Sequence, residues 1–232
     1  MTTKPMFDLA YKGGFGVGAF NVNNMEITQA IIEACAEKKS PVILQISKGA
    51  RKYANIRFLT KIIDACVEEY PQVPIAIHCD HGDTIELMKE CISDGYTSVM
   101  IDGSHHDFDE NVRLTAETVK LAHDAGVVVE AELGQLGGIE EDVVGLSAEE
   151  YEKNLEKFLT DPQQAKEFVE RTGLDSLAVA IGTSHGAYKF SKEPTLAFDR
   201  IEQIMETCPG TSLVMHGSSS VPQEYIELVN KY

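Results

Sequence analysis

Short runs of apolar and β-branched residues alternate with longer stretches in which apolar residues recur every three or four positions. The short runs are typical of strands covered on both faces of a parallel sheet. The longer stretches, such as residues 25–38 with Ile27 and Ile31, are typical of amphipathic helices. Predicted strands cover residues 15–20, 41–46, 73–79, 98–101, 127–131, 176–181 and 212–215. Predicted helices cover residues 25–38, 56–69, 83–93, 107–125, 162–172, 195–207 and 222–230.

This alternation predicts an α/β fold built from seven consecutive strand–helix units. Most strand starts are separated by the length of one βα unit, which favours a TIM (β/α)8 barrel over a doubly wound sheet. Such a barrel typically needs about 250 residues. The chain has 232 residues and shows no eighth strand. We therefore expect one barrel domain over residues 1–232 that is incomplete at its C-terminal end, with the eighth βα unit missing.

One connection is longer than the others and is expected to carry function. Residues 134–160 follow the fifth predicted strand, are rich in acidic residues and contain several glycines. In a barrel this segment lies at the carboxyl ends of the strands, where the active sites of that fold are found. Because long loops in this position commonly carry function, we predict a mobile active-site loop here.

Composition and charge narrow the range of functions. Hydrophobic residues make up 43% of the chain, but no stretch approaches the ~20 apolar residues of a membrane span. The 37 acidic and 20 basic residues give a net charge of −17, which argues against nucleic acid or an anionic membrane as a partner. The five cysteines form no C-x-x-C pair, so buried reduced thiols are favoured. The N-terminus lacks an apolar signal core, and we expect a cytoplasmic protein.

Three histidines each follow a different predicted strand: His81, His185 and His216. Strand ends converge at the mouth of a barrel, and three imidazoles with one open position form a ligand set of catalytic zinc. The spacings between them carry no local motif, so a place in an ordinary loop is the alternative for each. His78 is expected to be a hydrogen-bonded strand residue.

Carboxylates accompany these histidines. Asp80 directly precedes His81; a carboxylate beside a cation keeps its charge and can accept a proton from a substrate hydroxyl. Helix capping or support of a metal ligand is the alternative, and Asp83 is better placed for the cap. Asp102 and Glu132 lie at the ends of the fourth and fifth strands, where they are expected to hold a second cation or to orient a ligand histidine.

Turns rich in glycine and serine follow the last two predicted strands, at residues 182–184 and 217–220. Late loops of barrels often bind phosphate through backbone N–H groups. Lys189 follows closely and would add a positive charge. Ordinary tight turns are the equally supported alternative.

Taken in order, these motifs resemble those of the class II, metal-dependent fructose-bisphosphate aldolase family, which also contains tagatose-bisphosphate aldolases. The matching stretches are GAFNVNNME, HCDHG, DGSHHDFDENV, VEAELGQLGG, AIGTSHGAYKF and HGSSSVP, and they span nearly the whole chain. The resemblance implies a lyase of glycolysis and gluconeogenesis. Its reaction would be the zinc-dependent, reversible cleavage of fructose 1,6-bisphosphate to dihydroxyacetone phosphate and glyceraldehyde 3-phosphate.

The resemblance also implies roles for individual residues. Asp80 looks like the acid/base that acts on the C4 hydroxyl, and Glu140 or Glu141 resembles the residue that moves the proton at the nucleophilic carbon. The implied zinc ligands are His81, His185 and His216. Glu132 and Asp102 look like ligands of a second divalent or monovalent cation, or supports of the first site. The implied substrate-binding residues are Asn21, Ser47, Gly186, Lys189, Gly217 and Ser218.

Several alternatives stay open. Tagatose 1,6-bisphosphate differs from the fructose ester only in C4 stereochemistry. A metal-dependent barrel hydrolase is disfavoured because strand one ends in Phe20-Asn21 rather than in an H-x-H motif. The family's eighth strand carries an Asn-Ile-Asp type motif that this chain does not contain, so an inactive barrel that only binds metal or a partner is a further alternative. The implied partners are a phosphorylated sugar and further copies of the chain, as a dimer or tetramer.

Overall fold

Parallel strands followed by helices make up the described part of the chain, as the sequence pattern predicts. The computed structural model describes residues 1–134, 137–138, 155–185 and 196–232. These residues form two compact units. One comprises Met1–Ile101 with Glu117–Val129, and the other comprises Asp102–Ala116 with Glu130–Tyr232. The α/β class is confirmed, whereas the single domain over residues 1–232 stays a prediction.

The first unit contains a four-stranded parallel sheet in the order β1-β2-β3-β4. Its strands are β1 (Gly18–Asn21), β2 (Val42–Ser47), β3 (Ile75–Gly82) and β4 (Ser98–Ile101). Its helices are α1 (Lys4–Gly13), α2 (Met25–Lys38), α3 (Lys48–Ala54), α4 (Ile56–Glu69) and α5 (Ile85–Ser93). Phe20 lies opposite Leu44, and Leu44 lies opposite Ile77. This register places the ends of β1, β2 and β3 side by side.

The second unit contains a three-stranded parallel sheet in the order β5-β7-β9 and a short parallel pair, β6 with β8. Its elements include β6 (Gly137–Gly138), α7 (Leu155–Phe158), α8 (Pro162–Thr172), β7 (Ser176–Val179), β8 (Ser184–His185), α9 (Phe198–Thr207), β9 (Ser212–Val214), a 3₁₀ turn (Ser218–Ser220) and α10 (Gln223–Val229). Two further elements, α6 (Phe108–Asp124) and β5 (Val128–Leu133), each contain a boundary between the two units. Among the described residues no strand follows β9, in line with the expected lack of an eighth unit.

Two helices that the sequence pattern does not predict are α1 and α3. In α1 only Met6 is buried, and it packs with Ile43 of β2 and Ala76 of β3. In α3 no residue is buried. The two helices are only ten and seven residues long and bury at most one residue each, so neither gives the long run of apolar residues at helical spacing on which the prediction depends. Strand β1 also begins at Gly18 rather than at residue 15, since Gly14 still forms the left-handed end of α1.

Side-chain caps fix several helix starts. Asn24 and Asp161 accept hydrogen bonds from backbone N–H groups of the first turns of α2 and α8. The predicted cap Asp83 is wrong, because Thr84 directly precedes α5 and its hydroxyl accepts from Leu87 N at 3.3 Å. Asp83 forms an ion pair with Lys48 at 2.6 Å instead.

In the described ranges, no helix combines the length and the apolar character that crossing a lipid bilayer would require.

Substitution of Gly103 by alanine is expected to destabilise the fold. A Cβ at this position would lie 2.5 Å from Asn111 Oδ1 and 3.1 Å from Asn111 Cα, so Asn111, which is buried and bonded to Glu132 O, must shift. Overpacking of this kind costs about 1–3 kcal/mol, which urea denaturation would measure. Gly49→Ala is the matched control, because a Cβ there meets only Ser47 Oγ at 3.7 Å and an alanine in a helix gains roughly 0.5–1 kcal/mol over glycine. Equal stability of Gly103→Ala and the parent chain would contradict this account.

Candidate active site

Asp80 lies near the end of β3, and amide groups hold both of its carboxylate oxygens. Asn21 Nδ2 donates to Oδ2 at 2.5 Å, and Gln45 Nε2 donates to Oδ1 at 2.5 Å. Asn21 is the last residue of β1 and Gln45 belongs to β2, so the parallel register brings both amides to the carboxylate. Asp80 is 7% exposed. The two bonds hold the plane of the buried Asp80 carboxylate in one orientation. A general base needs such an orientation in order to reach the proton that it accepts.

His81 follows Asp80 and has a left-handed backbone with φ +46°. This conformation is uncommon for residues other than glycine, although histidine is among those enriched in it. The register of β3 against β4 shifts between Cys79 and Gly82, which marks a bulge at His81. A bulge re-aims a side chain, and His81 Nε2 comes within 3.9 Å of Asp80 Oδ1. The bulge thus brings the imidazole and the carboxylate of neighbouring residues together.

The residues just before Asp80 have structural contacts. His78 is buried, and its Nδ1 forms a 2.8 Å hydrogen bond with Ser98 Oγ, as predicted for a strand residue. A hydrogen bond with Cys91 and burial both raise the pKa of the Cys79 thiol well above its usual value. Both effects favour the neutral thiol over the thiolate.

In the second unit, His216 follows β9 and is held by Glu130 of β5. His216 Nε2 lies 2.8 Å from Glu130 Oε1, and both residues are buried. A carboxylate on one imidazole nitrogen fixes the orientation of the ring, and this pairing commonly supports histidines that ligate metals. The described geometry therefore gives His216 the support expected of a ligand.

Glu130 is a functional candidate that sequence reasoning did not assign. All six residues of β5 are buried, and Glu130 and Glu132 are two positions apart, which places them on the same face of the strand. Two carboxylates on one face of a buried strand are costly unless they have partners. The two-residue spacing of Glu130 and Glu132 in an apolar strand is the sequence feature from which a role for Glu130 could have been predicted.

Asp102 directly follows β4 and Glu132 lies near the end of β5; both residues belong to the second unit. Asp102 Oδ1 accepts a 3.0 Å hydrogen bond from Ser104 N, so its carboxylate shapes its own turn. Glu132 is 2% exposed, and its backbone carbonyl accepts a 2.9 Å bond from Asn111 Nδ2. The buried Asn111 thereby ties α6 to the end of β5.

Other predicted site residues have varied placements. The hydroxyl of Ser47 accepts from Ala50 N at 3.2 Å and caps α3. Gly217 has φ +70° and precedes the 3₁₀ turn, in which Ser218 is exposed. His185 belongs to β8, of which the backbone alone is described. Predicted residues outside the described ranges are Glu140, Glu141, Gly186 and Lys189.

The donor groups suit a divalent cation. The first unit offers the His81 imidazole beside the oriented Asp80 carboxylate, and the second offers His216 with Glu130 behind it. Imidazole nitrogens and carboxylate oxygens are ligands that zinc accepts. The residues present therefore fit a catalytic metal of this kind.

Comparison with known proteins agrees with this chemistry. The family described as "Fructose-bisphosphate aldolase class-II" matches residues 1–232. The fructose-bisphosphate aldolase of Giardia intestinalis is 56% identical over 100% of this chain and 69% of its own length. The Pseudomonas aeruginosa protein of the same name is 47% identical over 100% of this chain and 69% of its own length.

A solved structure shows the same fold. The crystal structure of the YdjI aldolase from Escherichia coli K12 matches with a TM-score of 0.83 and 34% identity, covering 98% of this chain and 76% of that one. This similarity confirms the TIM-barrel class predicted from the strand–helix pattern. By its family match and the identity of its relatives, the chain belongs to the class II fructose-bisphosphate aldolase family.

Proposed function

We propose that the chain catalyses the zinc-dependent, reversible cleavage of fructose 1,6-bisphosphate to dihydroxyacetone phosphate and glyceraldehyde 3-phosphate. The observation that carries the proposal is Asp80, a buried carboxylate fixed by Asn21 and Gln45 directly beside the imidazole of His81. Membership of the metal-dependent class II family supports the reaction type. The name fructose-bisphosphate aldolase, which the Giardia and Pseudomonas relatives share, favours this substrate over tagatose 1,6-bisphosphate.

The proposed zinc ligands are His81, His185 and His216. Three imidazoles match the donor set of a catalytic zinc with one open position. Support comes from the bulge that orients His81 and from the Glu130 carboxylate that holds His216. When bound, zinc would polarise the C2 carbonyl and stabilise the negative charge that develops during cleavage.

Two carboxylates would move the protons. Asp80 accepts the proton of the C4 hydroxyl while the C3–C4 bond breaks, so C4 becomes the aldehyde carbon and the bonding electrons remain with C3. Asn21 and Gln45 keep the Asp80 oxygens aimed during this step. Glu140 or Glu141 then returns a proton to C3 of the dihydroxyacetone phosphate fragment.

The phosphate groups need a local source of positive charge, because the chain carries a net charge of −17. We assign this role to Lys189 and to backbone N–H groups near Gly186, Gly217 and Ser218. The left-handed turn at Gly217 leads into a 3₁₀ turn, and such turns present N–H groups to anions. Asn21 and Ser47 would line the sugar.

Asp102 and Glu132 are the proposed ligands of a second divalent or monovalent cation. Their alternative role is to support the zinc ligands. The bond from Ser104 N to Asp102 and the burial of Glu132 are compatible with both roles. The number of metal equivalents bound to the purified protein distinguishes them.

We further propose a cytoplasmic homo-oligomer, a dimer or tetramer. The five cysteines of the chain are free and buried, which fits a reducing compartment. In the first unit, Tyr53 and Phe58 are 75% and 70% exposed and are available for contact with another copy. Multi-angle light scattering on the purified chain is expected to give a mass of at least twice 25.5 kDa; a monomer at all concentrations would exclude the oligomer.

Removal of bound metal is expected to abolish aldol cleavage. Protein treated with a chelator and shown to be metal-free by mass spectrometry should lose activity, because no charge remains to polarise the carbonyl. Added Zn²⁺ should restore it. Measurement couples release of glyceraldehyde 3-phosphate to a dehydrogenase, with product analysis to distinguish cleavage from phosphate hydrolysis. Activity that persists in metal-free protein would overturn the zinc mechanism, and a metal-loaded protein without cleavage would favour the inactive alternative.

Replacement of Asp80 by asparagine is expected to reduce kcat by about 10²–10⁴-fold, because the group that accepts the C4 hydroxyl proton is removed. Zinc content should not change, since Asp80 is not among the proposed ligands. Asp83→Asn is the matched control; this carboxylate lies three residues further on and pairs with the exposed Lys48. Similar kcat values for both variants would remove Asp80 from the mechanism.

A further inference from the structure

Thr160 lies at the point where the long connection after β5 returns to the second sheet. Its side chain is fully buried. The hydroxyl donates to the carbonyl oxygen of Leu133, the last residue of β5, and accepts from Ala180 N at 2.8 Å. Thr160 N also donates to Ala180 O at 3.0 Å. Thr160 therefore bonds to the last residue of β5 and to Ala180, which directly follows β7.

These bonds are made where the strand ladder stops. The paired register of β5 and β7 ends with Leu133 opposite Val179. Thr160 bonds to Leu133 at this last pair and to Ala180, one residue beyond it. Buried backbone groups need hydrogen-bond partners. Thr160 supplies them to Leu133 O and Ala180 N where the pairing of β5 and β7 ends.

The outgoing end of the connection meets the same residue. Gly134 follows β5 with φ +94°, and a Cβ there would lie 2.8 Å from Thr160 Oγ1, 2.8 Å from Phe158 O and 2.7 Å from Ala180 Cβ. A larger residue at 134 would push the two ends apart. Gly134 and Thr160 thus bring both ends of the 134–160 connection to one place, which we term the Thr160 clamp.

Arg200 of α9 reinforces the returning end. Its guanidinium Nη1 lies 3.4 Å from Thr160 O, and Nη2 lies 3.2 Å from Glu156 Oε2. The Arg200 side chain is only 20% exposed. A third element of the second unit therefore holds the residues that lead into the clamp.

We propose that Thr160 is a positioning residue for the aldolase reaction. Through the Thr160 clamp it fixes the end of β5, which carries Glu132, and both ends of the connection whose sequence includes Glu140 and Glu141. The inference rests on the proposed function, since it assigns proton transfer at C3 to one of these glutamates. A displacement of about 1 Å at a reacting group reduces rates by up to about 10²-fold, so loss of the clamp would act on turnover more than on binding.

The test compares three variants of the full chain loaded with zinc. Thr160→Val keeps the volume and removes the hydroxyl, whereas Thr160→Ser keeps the hydroxyl. Thr172→Val is the matched control: Thr172 is also buried in the second unit, and its hydroxyl donates to Phe168 O at 2.7 Å within α8. The readouts are kcat and KM for cleavage, solvent deuterium incorporation at C3 of dihydroxyacetone phosphate, melting temperature, and the rate of cutting within residues 139–154 by a glutamate-specific protease.

The clamp predicts that Thr160→Val lowers kcat and deuterium incorporation by roughly 10–100-fold with little change in KM, the range expected for misplaced catalytic groups. Protease cutting should become faster. Thr160→Ser should restore kcat and incorporation to about one third of the parent value or better. Thr172→Val should lower the melting temperature without affecting turnover or incorporation.

Two outcomes would overturn the inference. The first is a Thr160→Val variant that matches Thr172→Val, with a lower melting temperature but parental kcat and incorporation, which would make Thr160 purely structural. If Thr160→Val does not fold, Arg200→Met replaces it, and unchanged incorporation and protease cutting in that variant would likewise overturn the inference. A parent chain that holds zinc but cleaves no sugar bisphosphate would contradict the proposed function instead, and the protease comparison would still decide whether the clamp exists.

Discussion

Parallel pairing is the constraint on which the rest of each sheet depends. Because all strands of a sheet run in one direction, their carboxyl ends lie at one edge, and polar residues placed after separate strands become neighbours. The first unit shows the result in Asp80, which receives amide bonds from β1 and β2. The second shows it in the bond between Glu130 of β5 and His216 after β9. Residues 86 positions apart in sequence meet there only because of strand order.

Burial decides how these polar groups are arranged. An ionised carboxylate inside a protein is costly unless it has hydrogen bonds or a charge partner. Asp80 and Glu130 are both nearly inaccessible to solvent; Asp80 accepts a short bond from Gln45 of the neighbouring strand β2, and Glu130 has a short bond with His216, which follows β9. The bonds that make burial tolerable also restrict the rotamers of these side chains. Stability and preorganisation of the site thus have one physical origin.

Sequence patterns predicted those features that depend on local rules. The bounds of α2 follow from the helical spacing of its apolar residues, and the strand-end positions of Asp80 and His81 follow from the βα alternation. The hydrogen-bond partners of the site residues could not be predicted from the sequence. Gln45 meets Asp80, and Glu130 meets His216, through the lateral register between strands that are distant in sequence. The helices α1 and α3 are ten and seven residues long and bury at most one residue each, so neither gave a long periodic pattern from which it could be predicted.

The bulge in β3 has a consequence for which mutations the protein can tolerate. Side chains of a regular strand alternate between faces, so adjacent residues would not ordinarily bring their functional groups within 3.9 Å, as Asp80 and His81 do. The extra residue at the bulge interrupts that alternation. Loss of the Cys79 codon would leave three residue steps from His78 to Gly82, opposite the three steps from Ser98 to Ile101. A regular ladder would then replace the bulge, and neighbouring side chains would point to opposite faces. Such a deletion would separate the carboxylate from the imidazole while leaving the hydrophobic composition of the strand almost unchanged.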